Sequence, residues 1–405
     1  MKLLVVSESP LVKVGSDYFA ADPWILIALN LAEAGEQVTL WVPIAPRVEG
    51  SAAPEDHWKV RPGTLRILPQ DFYNSFASYF RLWPSRRRFW RQRIEELASE
   101  HDVVISRVPS PILPIVTKAA RQLRRPLVLF VVGDMQTQSD AVRSSRGLRR
   151  LFYSAAVRFF LRQEVSCSQS ASLIYVYSRD LARRFGAQRS EVKQVQDPHL
   201  RLADFFERED SCLGPEIRLL RVSWLLPSKG IDHLIRAVAQ VKGDHRPVVL
   251  EIVGQERAPG YQNELERLAA SLGVSEKIKF LGWMPHDRIA EAFKRSDIQI
   301  LSSLAEGTPR VMVEGFARGL PLISTSVGGC ADLLRHEENA LIVPPADAGA
   351  IARGIDRLIR DSALRKNMIR RGYETARAAT FDVMGPRFIE DIQAVVTAAV
   401  ARQKW

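Results

Sequence analysis

Cysteine is scarce: Cys167, Cys212 and Cys330 are the three in 405 residues, far apart and without metal-ligand spacing. That excludes a disulfide scaffold and a cysteine-bound metal, and unpaired thiols in a reducing cytoplasm are the simplest reading. No run of about 18 apolar residues occurs, so no membrane-spanning helix is expected. The opening MKLLVVSESP has too short an apolar stretch for a secretory signal and reads better as a first strand. Short-period repeats and low-complexity tracts are also missing. With 46% hydrophobic and 25% charged residues, disorder, collagen and coiled coil are excluded. At roughly 100–200 residues per domain, the length fits two or three domains, each able to bury a core.

The charge is uneven. Lys+Arg 57 against Asp+Glu 46 gives +11. Residues 1–208 hold 30 basic and 21 acidic side chains, a net of +9, and residues 209–405 hold 27 and 25, a net of +2. Two stretches, 81–93 and 143–162, each carry six arginines and no acid. The basicity is therefore local and lies in the first half.

The first half alternates continuous apolar runs with helical patterns. LLVVS (3–7) is followed by a Ser/Pro/Gly-containing loop with Gly15-Ser16, then by a helix at 23–35 ending in glycine. Further strands are expected at 37–43, 102–106, 126–132, 173–177 and 192–195. Residues 45–95 break the period and read as an insertion ending in a helix. The second half repeats the scheme, with strands at 219–223, 247–254, 277–282, 297–303, 321–326 and 340–344. Helices alternate with these strands, and a last helix at 386–402 follows the Gly385-Pro386 break. Fully apolar strands with intervening helices predict α/β architecture with parallel sheets covered on both faces. The breaker-rich DSCLGPE (210–216) marks the linker, giving a first domain at 1–208 and a second at 209–385. A cleft between two doubly wound sheets is a natural ligand site.

Residues 302–345 carry the chemistry. A strand ends at Ser302-Ser303, Glu306 sits in the loop, and Gly307-Thr308-Pro309 open a helix that holds Arg310 and Glu314. Pro309 loses little at a helix start, and the glycine lets a ligand approach the backbone, where free amides favour an anion. Taken singly, either glutamate is more simply a solvated surface acid. A second strand-to-helix turn, with Lys229-Gly230 after a strand at 219–223, changes that balance. A cationic turn beside an anion-cradling helix start makes a diphosphate site.

Residues 218–380 resemble the donor domain of retaining nucleotide-sugar glycosyltransferases of the GT-B fold, the glycogen-synthase-like and lipopolysaccharide mannosyl- and glucosyltransferase group. The matching pieces are LLPSKG, EIVGQE, IKFLGWMP, DIQILSSLAEGTPRVMVEGFARGLPLIST, VGG and ALIVPPAD. The resemblance implies two Rossmann-like doubly wound domains facing across a cleft, with the C-terminal helix crossing back to the first. It implies a nucleotide diphosphate sugar as donor, no cofactor and no bound metal. Lys229 would bind the diphosphate, Glu306 the hydroxyls of the transferred sugar, and the amides at Gly307, Thr308 and Pro309 the sugar and phosphates. Glu314 would accept from the ribose hydroxyls. Gly254, Gly282 and Trp283 fall where the family holds the base, and Gly15 matches the first-domain glycine loop.

Three positions depart from the family pattern. Trp224 stands where an arginine usually precedes the lysine by five residues, with Arg310 as a candidate replacement cation. Gly133-Asp134 replaces a His-Asp pair, leaving Asp134 as an acceptor-side candidate or a helix N-cap. Gln196-Asp197-Pro198-His199 replaces the usual segment before the linker.

Aromatic residues interleave the arginines around Arg86, Arg87, Arg88, Arg149 and Arg150. Cationic amphipathic segments of this kind suit an anionic membrane surface or an anionic glycan, and an ordinary solvated face is the plain alternative. No recognised nucleic-acid module accompanies them. The sequence thus predicts a cytoplasmic, peripherally membrane-bound retaining glycosyltransferase acting on a glycan or lipid-linked acceptor. A catalytically inactive scaffold and a nucleotide-sugar epimerase are the alternatives.

Overall fold

In a computed structural model, the described residues are 1–22, 24–46, 58–60, 65–73, 76–133, 148–186, 191–307 and 309–403. They form two compact units, Met1–His199 with Phe381–Trp405, and Leu200–Thr380. The first boundary therefore lies before Leu200 rather than at 208/209. Leu200 is buried with Leu301, Met312 and Phe316, and the Phe206 and Arg208 amides donate to Ala317 O and the Tyr373 hydroxyl. The segment 200–208 is thus part of the second core.

The first unit contains β1 (Lys2–Val6), β2 (Leu11–Val14), β3 (Asp17–Ala20), α1 (Ile25–Glu33), β4 (Gln37–Ala45), β5 (Trp58–Val60), β6 (Arg66–Gln70), α2 (Phe76–Glu100) and β7 (Val103–Val108). It continues with α3 (Leu113–Gln122), β8 (Leu127–Val131), α4 (Leu148–Ser168), β9 (Leu173–Val176), α5 (Arg179–Phe185) and β10 (Glu191–Gln194). Strands β10-β9-β8-β7-β1-β4 are parallel, with β6 on the far side of β4. Apolar strand residues such as Leu4, Val104 and Leu129 pack under α2, α3 and α4, while Leu3, Val5 and Phe130 pack under α1. The central strands β1, β7, β8 and β9 thus bury both faces, as their continuous apolar runs require.

The loop expected after β1 is instead a hairpin. LVKVGSDYFA pairs β2 with β3 across the two-residue Gly15-Ser16 turn, Val14 opposite Asp17. Glycine at φ 62° supplies the left-handed turn conformation.

The second unit contains β11 (Ile217–Val222), α6 (Ile231–Val238), β12 (Val248–Val253), α7 (Tyr261–Ser271), β13 (Ile278–Gly282), α8 (His286–Arg295) and β14 (Ile298–Leu301). Then come α9 (Arg310–Ala317), β15 (Leu322–Thr325), α10 (Cys330–Leu333), β16 (Ala340–Val343), α11 (Ala348–Arg360) and α12 (Ser362–Ala378). All six strands are parallel in the order β13-β12-β11-β14-β15-β16.

The last helix, α13 (Phe381–Gln403), starts five residues before the expected 386 and carries Pro386 inside it. Phe381, Met384, Phe388 and Ile392 recur at helical spacing and are all buried in the first unit's core, so packing outweighs the proline. Phe388 meets Phe130 and Tyr175 edge-on, and Asp391 accepts from the Tyr175 hydroxyl at 2.8 Å and the Lys193 ammonium at 2.6 Å.

Candidate donor site and its surroundings

The strand order of the second unit reverses direction between β11 and β14. In an open parallel sheet this switch point leaves a crevice at the carboxyl ends of the strands, because the loops on either side diverge. Lys229 follows β11 and Glu306 follows β14, so the fold brings together two residues 77 positions apart. The Lys229 ammonium donates to Glu306 Oε2 at 2.8 Å, and the Ser303 hydroxyl donates to Glu306 Oε1 at 2.6 Å. Both side chains are shielded, at 18% and 9% exposure.

Beneath this pair lies Arg221, fully buried on β11. Its guanidinium donates to Ser303 Oγ at 2.7 Å, to Lys229 O at 3.3 Å and to Ile300 O at 3.4 Å, and stands 3.9 Å from Glu306. Burial pulls its pKa down to about 10, with Glu306 opposing the fall, so it stays cationic at neutral pH. Ser302 Oγ also donates to Lys229 O at 3.1 Å. Arg221 therefore fixes the lysine turn from its backbone and the glutamate from Ser303. Sequence reading passed over Arg221, yet a signal existed. An arginine inside an otherwise apolar strand of a parallel sheet must find a buried partner.

Two glycines hold the strand ends close. Gly230 has φ 58°, and a Cβ there would lie 2.2 Å from Ser302 O, so only glycine lets the lysine turn rest against the β14 end. Gly254 has φ 146°, and its Cβ would meet Ser223 O at 1.9 Å. The Gly254 amide donates to Gly282 O at 2.8 Å, joining two of the residues expected near the base, and Trp283 beyond them is 37% exposed.

Gly307 is exposed directly after Glu306, and its carbonyl accepts from Gly329 N at 2.8 Å. Pro309 is buried at the N-cap of α9, its carbonyl accepting from Met312 N at 3.2 Å. Arg310 is the first residue of α9, and Glu314, further along, is half-buried. Gly15 belongs to the other unit. Thr308 and Asp134 lie outside the described residues.

In the first unit, a polar cluster sits past the ends of β1, β6 and β7. Ser110 Oγ donates to Glu8 Oε1 at 2.9 Å, and Ser110 N donates to Glu164 Oε1 at 3.0 Å. The Tyr73 hydroxyl donates to Glu8 Oε2. Burial raises the Glu8 pKa to about 7 and the Glu164 pKa to about 8, outweighing their hydrogen bonds.

The first arginine stretch lies on α2. Arg86 grips Asp71 with two hydrogen bonds of 2.8 and 2.7 Å and covers Phe89 at 4.4 Å, so it is tied to its own unit rather than held out for a partner. Arg87 and Arg88 are exposed, as are Leu151, Phe159 and Arg158 on α4. The side chains of Arg149 and Arg150 lie outside the described residues. Among the described residues, no helix is long and apolar enough to cross a membrane.

The family model for glycosyl transferases group 1 matches residues 207–375, which contain Arg221, Lys229, Glu306 and Glu314. The lipopolysaccharide core biosynthesis glycosyltransferase LpsE of Rhizobium meliloti is 35% identical over 147 residues, 36% of this chain and 41% of that one. The matched region spans 17–41% of the length of the three curated relatives first matched. Among solved structures, sucrose-phosphate synthase from Thermosynechococcus elongatus superposes with a TM-score of 0.72 at 18% identity, covering 98% of this chain and 99% of that one. Anabaena HepE in complex with UDP-glucose gives 0.65 at 20% identity, covering 99% and 100%. These likenesses establish the GT-B fold, as the sequence motifs imply.

Proposed function

We propose that this chain, whose residues 207–375 are a group 1 glycosyl transferase domain, moves a sugar from a nucleotide diphosphate sugar to a glycan or lipid-linked acceptor with retention of configuration. The observation that carries this reading is the Lys229–Glu306 pair at the switch point of the second sheet, braced by Arg221 and Ser303. An ammonium held by one carboxylate is a cation in waiting: a diphosphate can take the ammonium and free the glutamate. Glu306 then accepts hydrogen bonds from hydroxyls of the transferred sugar, and Glu314 from those of the ribose, since an ionised carboxylate only accepts. Amides at the start of α9, at Gly307 and Pro309, meet the sugar and phosphates.

The charge growing on the leaving diphosphate is met by Lys229 and this helix start, with no resident metal in the scheme. The departing phosphate takes the acceptor proton on the face it leaves, which accounts for retention. Gly254, Gly282 and Trp283 border the base. The acceptor lies against the first unit at the cytoplasmic membrane face, where Arg87, Arg88 and Phe89 on α2 and Phe159 on α4 supply exposed charge and apolar surface. The polysaccharide chemistry in the name of the Rhizobium relative fits an acceptor of this class.

Radiolabelled nucleotide sugars incubated with membranes test the assignment. Lys229→Ala and Glu306→Ala are each expected to abolish incorporation. Near-wild-type rates in both variants would overturn it. Absence of binding to UDP, GDP, ADP and dTDP would favour the inactive scaffold, and donor conversion without acceptor would favour the epimerase.

A further inference from the structure

Neither basic side chain at the β11 end is freely available to a ligand. Arg221 is fully buried and spends its donors on Ser303 and two backbone carbonyls, so it does not reach a ligand. Lys229 is already matched by Glu306. A departing nucleoside diphosphate gathers more negative charge than one ammonium offsets, and a guanidinium is the side chain that meets two phosphate oxygens at once.

Such a group stands at the neighbouring strand ends. Trp224, two residues past β11, is 40% exposed, and the Arg257 guanidinium lies over its ring at 4.0 Å. The backbone fixes this meeting. Past the ends of β11 and β12 the two chains stay zipped, with Ser223 N donating to Val253 O at 2.9 Å, Leu225 N to Gln255 O at 3.0 Å and Arg257 N to Leu225 O at 3.2 Å. Gly254 permits the close approach.

Stacking on an indole face holds the guanidinium in place and leaves its in-plane N–H groups free to donate. The Arg257 side chain is exposed, and it makes no hydrogen bond or ion pair with another described residue. The adjacent Ser223 hydroxyl is shielded and finds no partner among the described residues. An exposed tryptophan carrying an arginine, at the carboxyl ends of β11 and β12, the first of which leads into the Lys229 turn, is not needed by the core. It is a preorganised anion contact.

We propose that Arg257, held on Trp224, is the second cation of the donor site and binds the diphosphate together with Lys229. This rests on the nucleotide-sugar reading above. The arginine absent from position 224 is thereby replaced from the adjacent strand end, with Trp224 as its support. Arg257 binds the ligand, and Trp224 positions Arg257.

Calorimetry on the full chain tests this, titrating UDP, GDP, ADP and dTDP and their monophosphates. For the base that binds wild type, Arg257→Ala is expected to weaken the diphosphate about tenfold or more while changing the monophosphate far less. Arg257→Lys should fall between, because an ammonium neither stacks nor forks. The double variant W224R/R257A should recover diphosphate affinity, since it returns a guanidinium to the same place from the other strand. That recovery also separates a lost contact from a damaged fold. Unchanged diphosphate affinity in Arg257→Ala would overturn the proposal. So would equal losses of mono- and diphosphate in Trp224→Ala with none in Arg257→Ala, which would make the ring a base platform. If wild type binds no nucleotide, the donor reading itself fails, and the two failures are thus distinguishable.

Discussion

Replacing Glu164 by glutamine should change how stability depends on pH more than it changes stability at any one acidic pH. Glu164 on α4 is 1% exposed; its Oε1 accepts from Ser110 N at 3.0 Å, and its Oε2 has no partner. Burial lifts its pKa from 4.5 to about 8, the Ser110 amide only partly opposing the rise. A raised carboxyl pKa means that the folded state binds a proton more tightly than the unfolded chain. Folding is therefore favoured by protonation below the unfolded value near 4.5. Stability then falls as pH climbs through the folded value near 8.

A shift from 4.5 to about 8 corresponds to about 5 kcal/mol at 1.36 kcal/mol per pKa unit. Relaxation and water entry around an ionised carboxylate reduce this to on the order of 2 kcal/mol. Glutamine is close in shape to the protonated acid and keeps the oxygen that Ser110 N needs. Glu164→Gln should thus be near-neutral at pH 5 and stabilising by about 2 kcal/mol at pH 9. Urea unfolding at pH 5 to 9, followed through the buried Trp24, Trp41 and Trp90 of the first unit, measures this directly. Curves for wild type and variant that stay parallel over the whole range would refute the reasoning.

Two further outcomes concern the second unit. The Asp210 side chain is shielded, at 8% exposure, which raises its pKa, but Arg365, the Ser362 hydroxyl and the Ser211 amide outweigh this and hold the carboxyl below its usual range. Its contribution is present above the unfolded pKa and lost as pH falls through the folded value. Asp210→Asn leaves the buried Arg365 without its 2.8 and 3.0 Å partner and should cost about 3–5 kcal/mol at pH 7, read from denaturation followed at Trp224 and Trp283. A loss below about 1 kcal/mol would show that the pair is not coupled to this unit's folding. Gly254→Ala places a Cβ 1.9 Å from Ser223 O at φ 146° and should cost about 1–3 kcal/mol in backbone strain. It should also part the 223–225 and 253–257 segments and lower nucleotide affinity, and a calorimetric titration matching wild type would contradict that.

Much of the fold was legible because parallel strands buried on both faces must be apolar throughout. Runs such as LLVV and LVLFV announce themselves, and the helices between strands carry the 3.6-residue period. The hairpin at 11–20 departs from the loop expected there because Ser, Pro and Gly signal a loop locally, whereas the pairing of Leu11–Val14 with Asp17–Ala20 is made across the turn. The start of α13 was misplaced because Gly385-Pro386 is a local stop signal, whereas the burial of Phe381 and Met384 is a tertiary gain.

In the site, Lys229 and Glu306 stood out because they precede helices at strand ends, where loop polarity contrasts with the apolar runs, and Glu314 because it lies in the helix that follows Glu306. Arg221 did not stand out, since its meaning depends on Ser303 and Ile300, about 80 positions away in the chain and adjacent only after β11 and β14 pair. Arg257 was silent for the same reason: nothing near it in sequence hints that it will stack on Trp224.

The sequence by itself determined the α/β class, the two sheets, the one-sided positive charge and the glutamate and lysine at strand-to-helix turns. Those features follow from local periodicity and composition, which neighbours along the chain express. Tertiary structure decided which charges neutralise one another, which arginine is a buried brace and which is exposed on an aromatic ring. It also decided where each unit ends. These depend on distances and burial between segments far apart in sequence, and the same side chain changes its pKa and its role with the partners that folding delivers.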